Sequence, residues 1–87
     1  MNYHLSKIIA WQEMPSKEYV FIRNCKNDYL YRLDGVSKDI WMRIVNDKKV
    51  NEIVEDLEKE YAVDKSKLYR DVDDFISSLI SEGILVH

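Results

Sequence analysis

Few side chains in this sequence have the type and spacing that catalysis requires. The two histidines, His4 and His87, lie near the ends of the chain, where side chains are usually frayed and solvated. Cys25 is next to a predicted turn with no histidine near it in the sequence, so a structural thiol is favoured over an activated nucleophile. The chain has only two glycines, which excludes a glycine-rich phosphate loop. We therefore predict neither a nucleophile nor a phosphate site.

Three carboxylates, Asp71, Asp73 and Asp74, are close together in a predicted helix. Asp71 and Asp74 share a helix face because they are three residues apart, whereas Asp73 points away. Charges in such a pattern usually form a solvated surface. We therefore predict that the protein is not an enzyme and has no catalytic residue, no metal and no cofactor. An enzyme is the most distant of the alternatives.

The composition predicts one soluble domain over residues 1–87. The net charge is -3, which argues against nucleic acid or an anionic membrane as a partner chosen by bulk charge. Residues 1–12 have no signal-peptide pattern, and no apolar run approaches membrane-spanning length. A single cysteine cannot form an internal disulfide, so nothing implies an oxidising compartment. We expect a cytoplasmic protein.

Three strands are predicted before residue 34, from β-branched and aromatic residues with alternating polarity. They cover residues 7–12, 18–24 and 29–33. Pro15 separates the first two because it cannot donate to a strand ladder. The second strand should turn Tyr19, Phe21 and Arg23 to one face and the residues between them to the other. Turn-forming residues 26–28 should join the second and third strands as a hairpin.

Three helices follow, each predicted from an apolar stripe with helical period. They cover residues 38–46, 50–61 and 65–82. Ser37 and Asp64 are predicted N-caps of the first and third helices, and Gly83 is the predicted stop of the third. Residues 84–86 should pack back on the core as a short apolar tail.

The predicted order is therefore a three-stranded antiparallel sheet followed by three helices, an α+β fold. Helices must cover one face of so small a sheet, and the layout resembles a winged helix with its strands moved to the front. A DNA-binding transcriptional regulator is thus the alternative from another functional class. The charge pattern disfavours it, because the second predicted helix carries Glu52, Glu55, Asp56, Glu58 and Glu60 against Lys59 alone.

The third predicted strand lies at a sheet edge, where unpaired backbone groups can pair with an extended peptide. Arg32 could instead protect this edge. If the third helix packs beside the strand, its apolar stripe would floor a groove, although the same residues could be ordinary core. The predicted peptide site combines both elements: Tyr29, Leu30, Tyr31, Arg32, Leu33, Leu68, Asp71, Val72 and Phe75. We expect Leu68, in the first turns, to emerge from the core.

The sequence resembles the PqqD-like family, the recognition elements for precursors of ribosomally made, post-translationally modified peptides (RiPPs). The resemblance covers residues 19–85 and rests on an ordered set rather than on one motif. The set begins with Leu33-Asp34-Gly35-Val36-Ser37, Ile40-Trp41, Val50, Glu52-Ile53-Val54 and Leu57, and continues with Tyr61, Val63, Asp71-Val72, Phe75, Leu79 and Gly83-Ile84-Leu85.

This resemblance implies a non-catalytic protein that binds the leader segment of a precursor peptide as an added strand. It further implies that the protein delivers the precursor to modifying enzymes, either a leader peptidase and a cyclase in a lasso peptide pathway or a radical-SAM enzyme. The Asp-Gly-Val-Ser-x-x-Ile-Trp run looks most like the standalone lasso type. A module for another peptide is the main competing hypothesis. An exposed edge could also pair two copies of the chain as a homodimer.

Overall fold

The computed structural model describes residues 3–87. Their elements, in chain order, are β1 (His4–Leu5), β2 (Ile9–Glu13), β3 (Tyr19–Asn24), β4 (Leu30–Asp34), α1 (Gly35–Val45), α2 (Val50–Glu60), α3 (Lys65–Ser81) and β5 (Leu85–Val86). The predicted α+β fold, a three-stranded antiparallel sheet followed by three helices, is confirmed. The single-domain prediction for residues 1–87 includes Met1 and Asn2, which lie outside the described residues.

Strands β2, β3 and β4 form the sheet, with β3 in the centre. Trp11 of β2 lies opposite Ile22 of β3, which lies opposite Tyr31 of β4. Val20 and Ile22 are fully buried, while Arg23 is exposed. The alternation predicted for this strand is therefore confirmed, and it gives the sheet an inner face toward the helices and an outer face that no helix within residues 3–87 covers.

The helices bury the inner face of the sheet. Trp41 of α1 packs edge to face on Trp11 of β2, with ring centroids 5.8 Å apart and an interplanar angle of 81°. Apolar residues at helical spacing complete the core because each helix turns one stripe inward. The other buried core residues of the helices are Ile40, Ile44, Ile53, Val54, Leu57, Leu68, Val72, Ile76 and Leu79. No helix within residues 3–87 has the length and apolar character needed to cross a bilayer.

The first helix begins three residues earlier than predicted, and the prediction of Ser37 as its N-cap is wrong. Asp34 occupies the N-cap position with extended backbone, and the helix starts at Gly35. Gly35 has a φ of 54°, a left-handed conformation that glycine adopts without steric cost. The chain therefore turns directly from β4 into α1 without the connecting loop that the sequence pattern suggested.

The end of α3 and the chain termini form a second, smaller sheet. Gly83, with a φ of 76°, ends the helix as predicted: its N–H donates to Ile80, and the N–H of Ile84 donates to Leu79. This pair of bonds reverses the chain. β5 then pairs with β1, with Leu85 opposite Leu5. Ile84 and Leu85 are fully buried, so the prediction that the tail packs back on the core is confirmed.

A polar cluster joins α1 to α2. The Arg43 guanidinium donates to Asp56 at 3.2 Å, to Glu60 at 2.9 Å and to the carbonyl of Asp39 at 3.0 Å. The Tyr61 hydroxyl donates to the Asp39 carboxylate, and this hydrogen bond raises the pKa of Tyr61 above its usual value. The Arg43 side chain is only 19% exposed, so these bonds are partly shielded from water.

Replacing Arg43 by alanine should lower the free energy of unfolding by about 1–2 kcal/mol, because Asp56 loses a partly buried partner. The pair with Glu60 contributes little to this loss, because Glu60 is exposed to water. Arg43→Lys keeps the positive charge but not the forked N–H donors. Its free energy of unfolding should therefore lie between those of the parent protein and Arg43→Ala. Urea denaturation of the three proteins measures this. An unchanged midpoint for Arg43→Ala would show that the cluster contributes nothing to stability.

Candidate functional site

Strand β4 has a free edge, and the hydrogen bonds to β3 show which of its backbone groups point outward. The N–H of Asn24 donates to the carbonyl of Tyr29. Because hydrogen-bonded pairs alternate along an antiparallel ladder, Tyr31 and Leu33 also bond to β3. The N–H and C=O groups of Leu30 and Arg32 therefore point away from β3. Among the described residues no strand pairs with β4 on that side, so these groups are open to an added strand.

Strand β2 forms the opposite edge of the sheet, but α1 closes the space beneath it. By the same alternation, the backbone groups of Ile9 and Trp11 point away from β3. The Trp11 side chain is packed on Trp41, and Glu13 forms an ion pair of 2.8 Å with Lys38, whose side chain is 14% exposed. A peptide added at β2 would thus find side chains already packed against each other. The edge of β4 is the more accessible of the two.

Helix α3 turns a half-exposed stripe toward β4. The Tyr31 hydroxyl donates to the Glu82 carboxylate at 2.9 Å, across the space between the strand and the end of the helix. Residues four, seven and eleven positions before Glu82 share its helix face. These are Ser78, Phe75 and Asp71. This hydrogen bond places the end of the stripe beside β4, and we call the space between the stripe and the strand the β4–α3 groove.

Each end of the groove carries a carboxylate, and the two carboxylates accept hydrogen bonds from different donors. At the end near Glu82, the hydrogen bond to the carboxylate raises the pKa of Tyr31 above its usual value. Toward the start of α3, Asp71 accepts from Lys67 at 2.9 Å. Phe75, which is partly buried against the core, provides the apolar surface between them. The groove thus offers an apolar centre between two carboxylates.

The predicted site residues separate into two groups. Leu30, Arg32 and Asp71 are exposed, and Tyr31, Leu33 and Phe75 are half-buried. Tyr29 is 62% exposed and immediately precedes the strand. Leu68 and Val72, in contrast, are 4% and 0% exposed.

The expectation that Leu68 emerges from the core is therefore wrong. Leu68 and Val72 lie on the buried side of α3 and present no side-chain surface to a peptide in this structure. Sequence reasoning also missed Ser78 and Glu82. Their spacing from Phe75 by three and seven residues was the available signal, but it could be used only once the helix face toward β4 was known.

The outer face of the sheet carries two arginines with similar exposure but different partners. Arg23 donates to Asp28 at 2.7 Å and is 60% exposed, whereas Arg32 approaches Asp34 at 3.4 Å and is 59% exposed. The Arg32 guanidinium also lies 5.5 Å from the centre of the Tyr19 ring. Arg23 is thus held firmly on the central strand, and Arg32 is held loosely on the edge strand.

An open cleft of about 240 Å³ crosses this outer face, lined by Ala10, Trp11, Gln12, Phe21, Arg23 and Leu30. Its surface contains no general base or nucleophile beside a reactive partner. Within residues 3–87, no group of three or more His, Cys, Asp or Glu side chains is placed to hold a metal ion. What the geometry offers is backbone groups and an apolar groove, which are features of peptide recognition.

A sequence model for a family described as coenzyme PQQ synthesis protein D (PqqD) matches residues 20–85. The match begins at β3 and runs through β4, all three helices and the start of β5, so it contains both sides of the β4–α3 groove. No curated protein sequence matches the chain.

Two solved structures share the fold. TbiB1 in complex with the TbiA(beta) leader peptide is 26% identical, with a TM-score of 0.85 over 93% of this chain and 92% of that chain. A lasso peptide synthetase B1 complexed with the leader peptide is 16% identical, with a TM-score of 0.89 over 98% of both chains. The likeness extends over nearly the whole of each protein.

Proposed function

Because this chain belongs to the PqqD family, whose standalone members are RiPP recognition elements, we propose that it binds the leader segment of a ribosomally made precursor peptide. The leader adds to β4 as a fourth strand. The observation that carries this proposal is the free edge at Leu30 and Arg32 beside the half-exposed α3 stripe. Backbone bonds to the edge supply affinity, and the groove selects side chains.

An added strand would place its side chains alternately on the two faces of the sheet. Residues opposite Tyr31 or Leu33 point to the inner face and meet Phe75 of α3. Residues opposite Leu30 or Arg32 lie on the outer face. The proposed site therefore consists of the β4 edge and the stripe of Asp71, Phe75, Ser78 and Glu82, without the buried Leu68 and Val72.

Both structural neighbours are complexes with leader peptides, and one of them is a lasso peptide synthetase B1. This likeness supports a lasso peptide pathway. We propose a leader peptidase and a cyclase as the enzymes that receive the bound precursor, with a radical-SAM enzyme as the alternative. The neighbouring genes distinguish these cases. A short precursor gene beside a peptidase and an asparagine-synthetase-like cyclase supports the first, and a radical-SAM gene supports the second.

Two other predicted interactions bear on this site. A homodimer paired at the β4 edge would use the same backbone groups as the leader, so dimerisation and peptide binding would compete.

DNA binding receives no support from the surface charge, because Glu52, Glu55 and Glu58 are exposed on α2 and would repel phosphates.

Hydrogen exchange tests the binding mode residue by residue. With a synthetic leader from the adjacent precursor gene, the amides of Leu30 and Arg32 should gain the most protection, since their N–H groups are free in the unbound protein. The amides of Tyr31 and Leu33 are already bonded to β3 and should change less. The opposite edge, at Ile9 and Trp11, is the internal control. Protection confined to Ile9 and Trp11, or to α2, would contradict strand addition at β4.

A further inference from the structure

We propose that Arg32 selects a carboxylate in the bound peptide, at the one position that lies opposite it on the outer face. This inference rests on the proposed function and deepens it. The residue opposite Arg32 in an added strand shares its face of the sheet, with the two Cβ atoms about 5 Å apart. Arg32 is the charged residue of β4 directly opposite this peptide position, whereas Asp34, two residues along on the same face, lies diagonally from it.

The guanidinium of Arg32 has N–H donors available for a peptide carboxylate. It lies 5.5 Å from the centre of the Tyr19 ring, and a guanidinium held near an aromatic ring keeps its in-plane N–H donors available. Its ion pair with Asp34 is long, at 3.4 Å, and both side chains are about 60% exposed (59% and 63%). A peptide carboxylate can therefore form a forked pair with Arg32 without first breaking a strong internal bond.

The inner side of the groove gives the opposite preference. Asp71 and Glu82 are the carboxylates on the α3 stripe, and each already accepts a hydrogen bond. An acidic peptide side chain directed inward would meet these two groups and the apolar ring of Phe75. Acidic residues are thus excluded from inward positions and favoured at the outward one. The expected peptide pattern is a carboxylate flanked on both sides by apolar residues.

Arg23 provides a matched control. It lies on the same outer face and is equally exposed, at 60% against 59%. It differs in two respects: its strand is the central one, with neighbours on both sides, and it is held by Asp28 at 2.7 Å. Reversing its charge changes the net charge of the protein as Arg32→Glu does, but at a position that no added strand can reach directly.

The experiment is an mRNA-display selection from a library of random 12-residue peptides. Three immobilised targets are used in parallel: the parent protein, Arg32→Glu and Arg23→Glu. The parent should enrich Asp or Glu at one position between two apolar residues. Arg32→Glu should replace this preference by Lys or Arg, and Arg23→Glu should keep it. One selected peptide is then compared with its Glu→Lys variant. The parent protein should bind the Glu peptide about tenfold more tightly than the Lys peptide, and Arg32→Glu should bind the Lys peptide more tightly.

Two kinds of failure are distinguishable. Selected peptides that protect the amides of Leu30 and Arg32, but show no acidic preference or keep it in Arg32→Glu, overturn the role of Arg32 and leave strand addition intact. A selection whose peptides protect neither amide, or that yields no binding peptide, overturns the proposed function and this inference with it. Thermal melts of both variants confirm that each protein remains folded during the selection.

Discussion

Truncating Leu68 to alanine is expected to lower the free energy of unfolding by about 2–5 kcal/mol, the usual cost of removing a buried leucine side chain. Leu68 is 4% exposed, and it belongs to the core cluster that α3 shares with α2. A domain of this size is held by roughly 5–15 kcal/mol, so the loss is a large fraction of the total. Urea denaturation of the parent and the variant measures it.

Phe75→Ala is the partner experiment, because Phe75 lies two turns after Leu68 on nearly the same side of α3 but is only partly buried. We expect a smaller loss of stability and a loss of leader affinity of at least about tenfold, which is about 1.4 kcal/mol. The folded Leu68→Ala protein should bind the leader as the parent does. Calorimetric titration at low temperature, where both variants are folded, measures the affinities.

The opposite pattern would contradict this assignment. If Leu68→Ala melts like the parent and loses leader affinity, the start of α3 opens when the peptide binds and Leu68 belongs to the groove. If Phe75→Ala binds like the parent, the stripe toward β4 contributes no contact. The two variants remove apolar groups from one helix, so any difference reflects how deeply each residue is buried and where along α3 it lies.

Much of the architecture could be predicted because the patterns are local. Alternation in β3 and the apolar stripes of α2 and α3 each need only neighbouring residues to be recognised. The two-residue strands β1 and β5 could not be predicted, since a pair such as Leu5 and Leu85 shows no period and is separated by most of the chain. The start of α1 was missed because Gly35 gives no helical signal, although the helix begins there.

The edge strand of the candidate site could be predicted, but the groove beside it could not be fully assigned. An apolar stripe shows which side of a helix is buried. It does not show which of the adjacent helix sides faces a neighbouring strand. In α3 the hydrogen bond from Tyr31 to Glu82 resolves this, and it joins residues far apart in the sequence. Leu68 and Phe75 look alike in the pattern, and only the packing separates core from groove.

Replacing Leu30 by proline should abolish most leader binding while leaving the fold intact. The N–H of Leu30 points to the free edge and bonds to no strand among the described residues, so proline removes no ladder bond within the protein. Proline is tolerated on edge strands for this reason. It does remove one donor that an added strand requires, and its ring obstructs close approach. We expect affinity to fall at least about tenfold, or about 1.4 kcal/mol.

Two variants isolate the backbone effect from the side chain and from the fold. Leu30→Ala removes a side chain that is 62% exposed but keeps the N–H, so it should weaken binding much less than Leu30→Pro. Tyr31→Pro removes an N–H that the alternation assigns to the bond with Ile22, together with the hydroxyl bonded to Glu82. It should therefore lower the melting temperature sharply.

Titration calorimetry with the leader, together with a thermal melt of each variant, distinguishes the outcomes. Loss of binding in Leu30→Pro with a parental melting temperature places the leader on the free edge of β4, because the substitution changes one outward N–H and one exposed side chain whose effect Leu30→Ala measures. Parental affinity in Leu30→Pro would remove this edge from the site. The free groups of Ile9 and Trp11 on β2 would then be the remaining place in the sheet where a peptide strand could add, although α1 closes the inner side there and leaves no groove for its side chains.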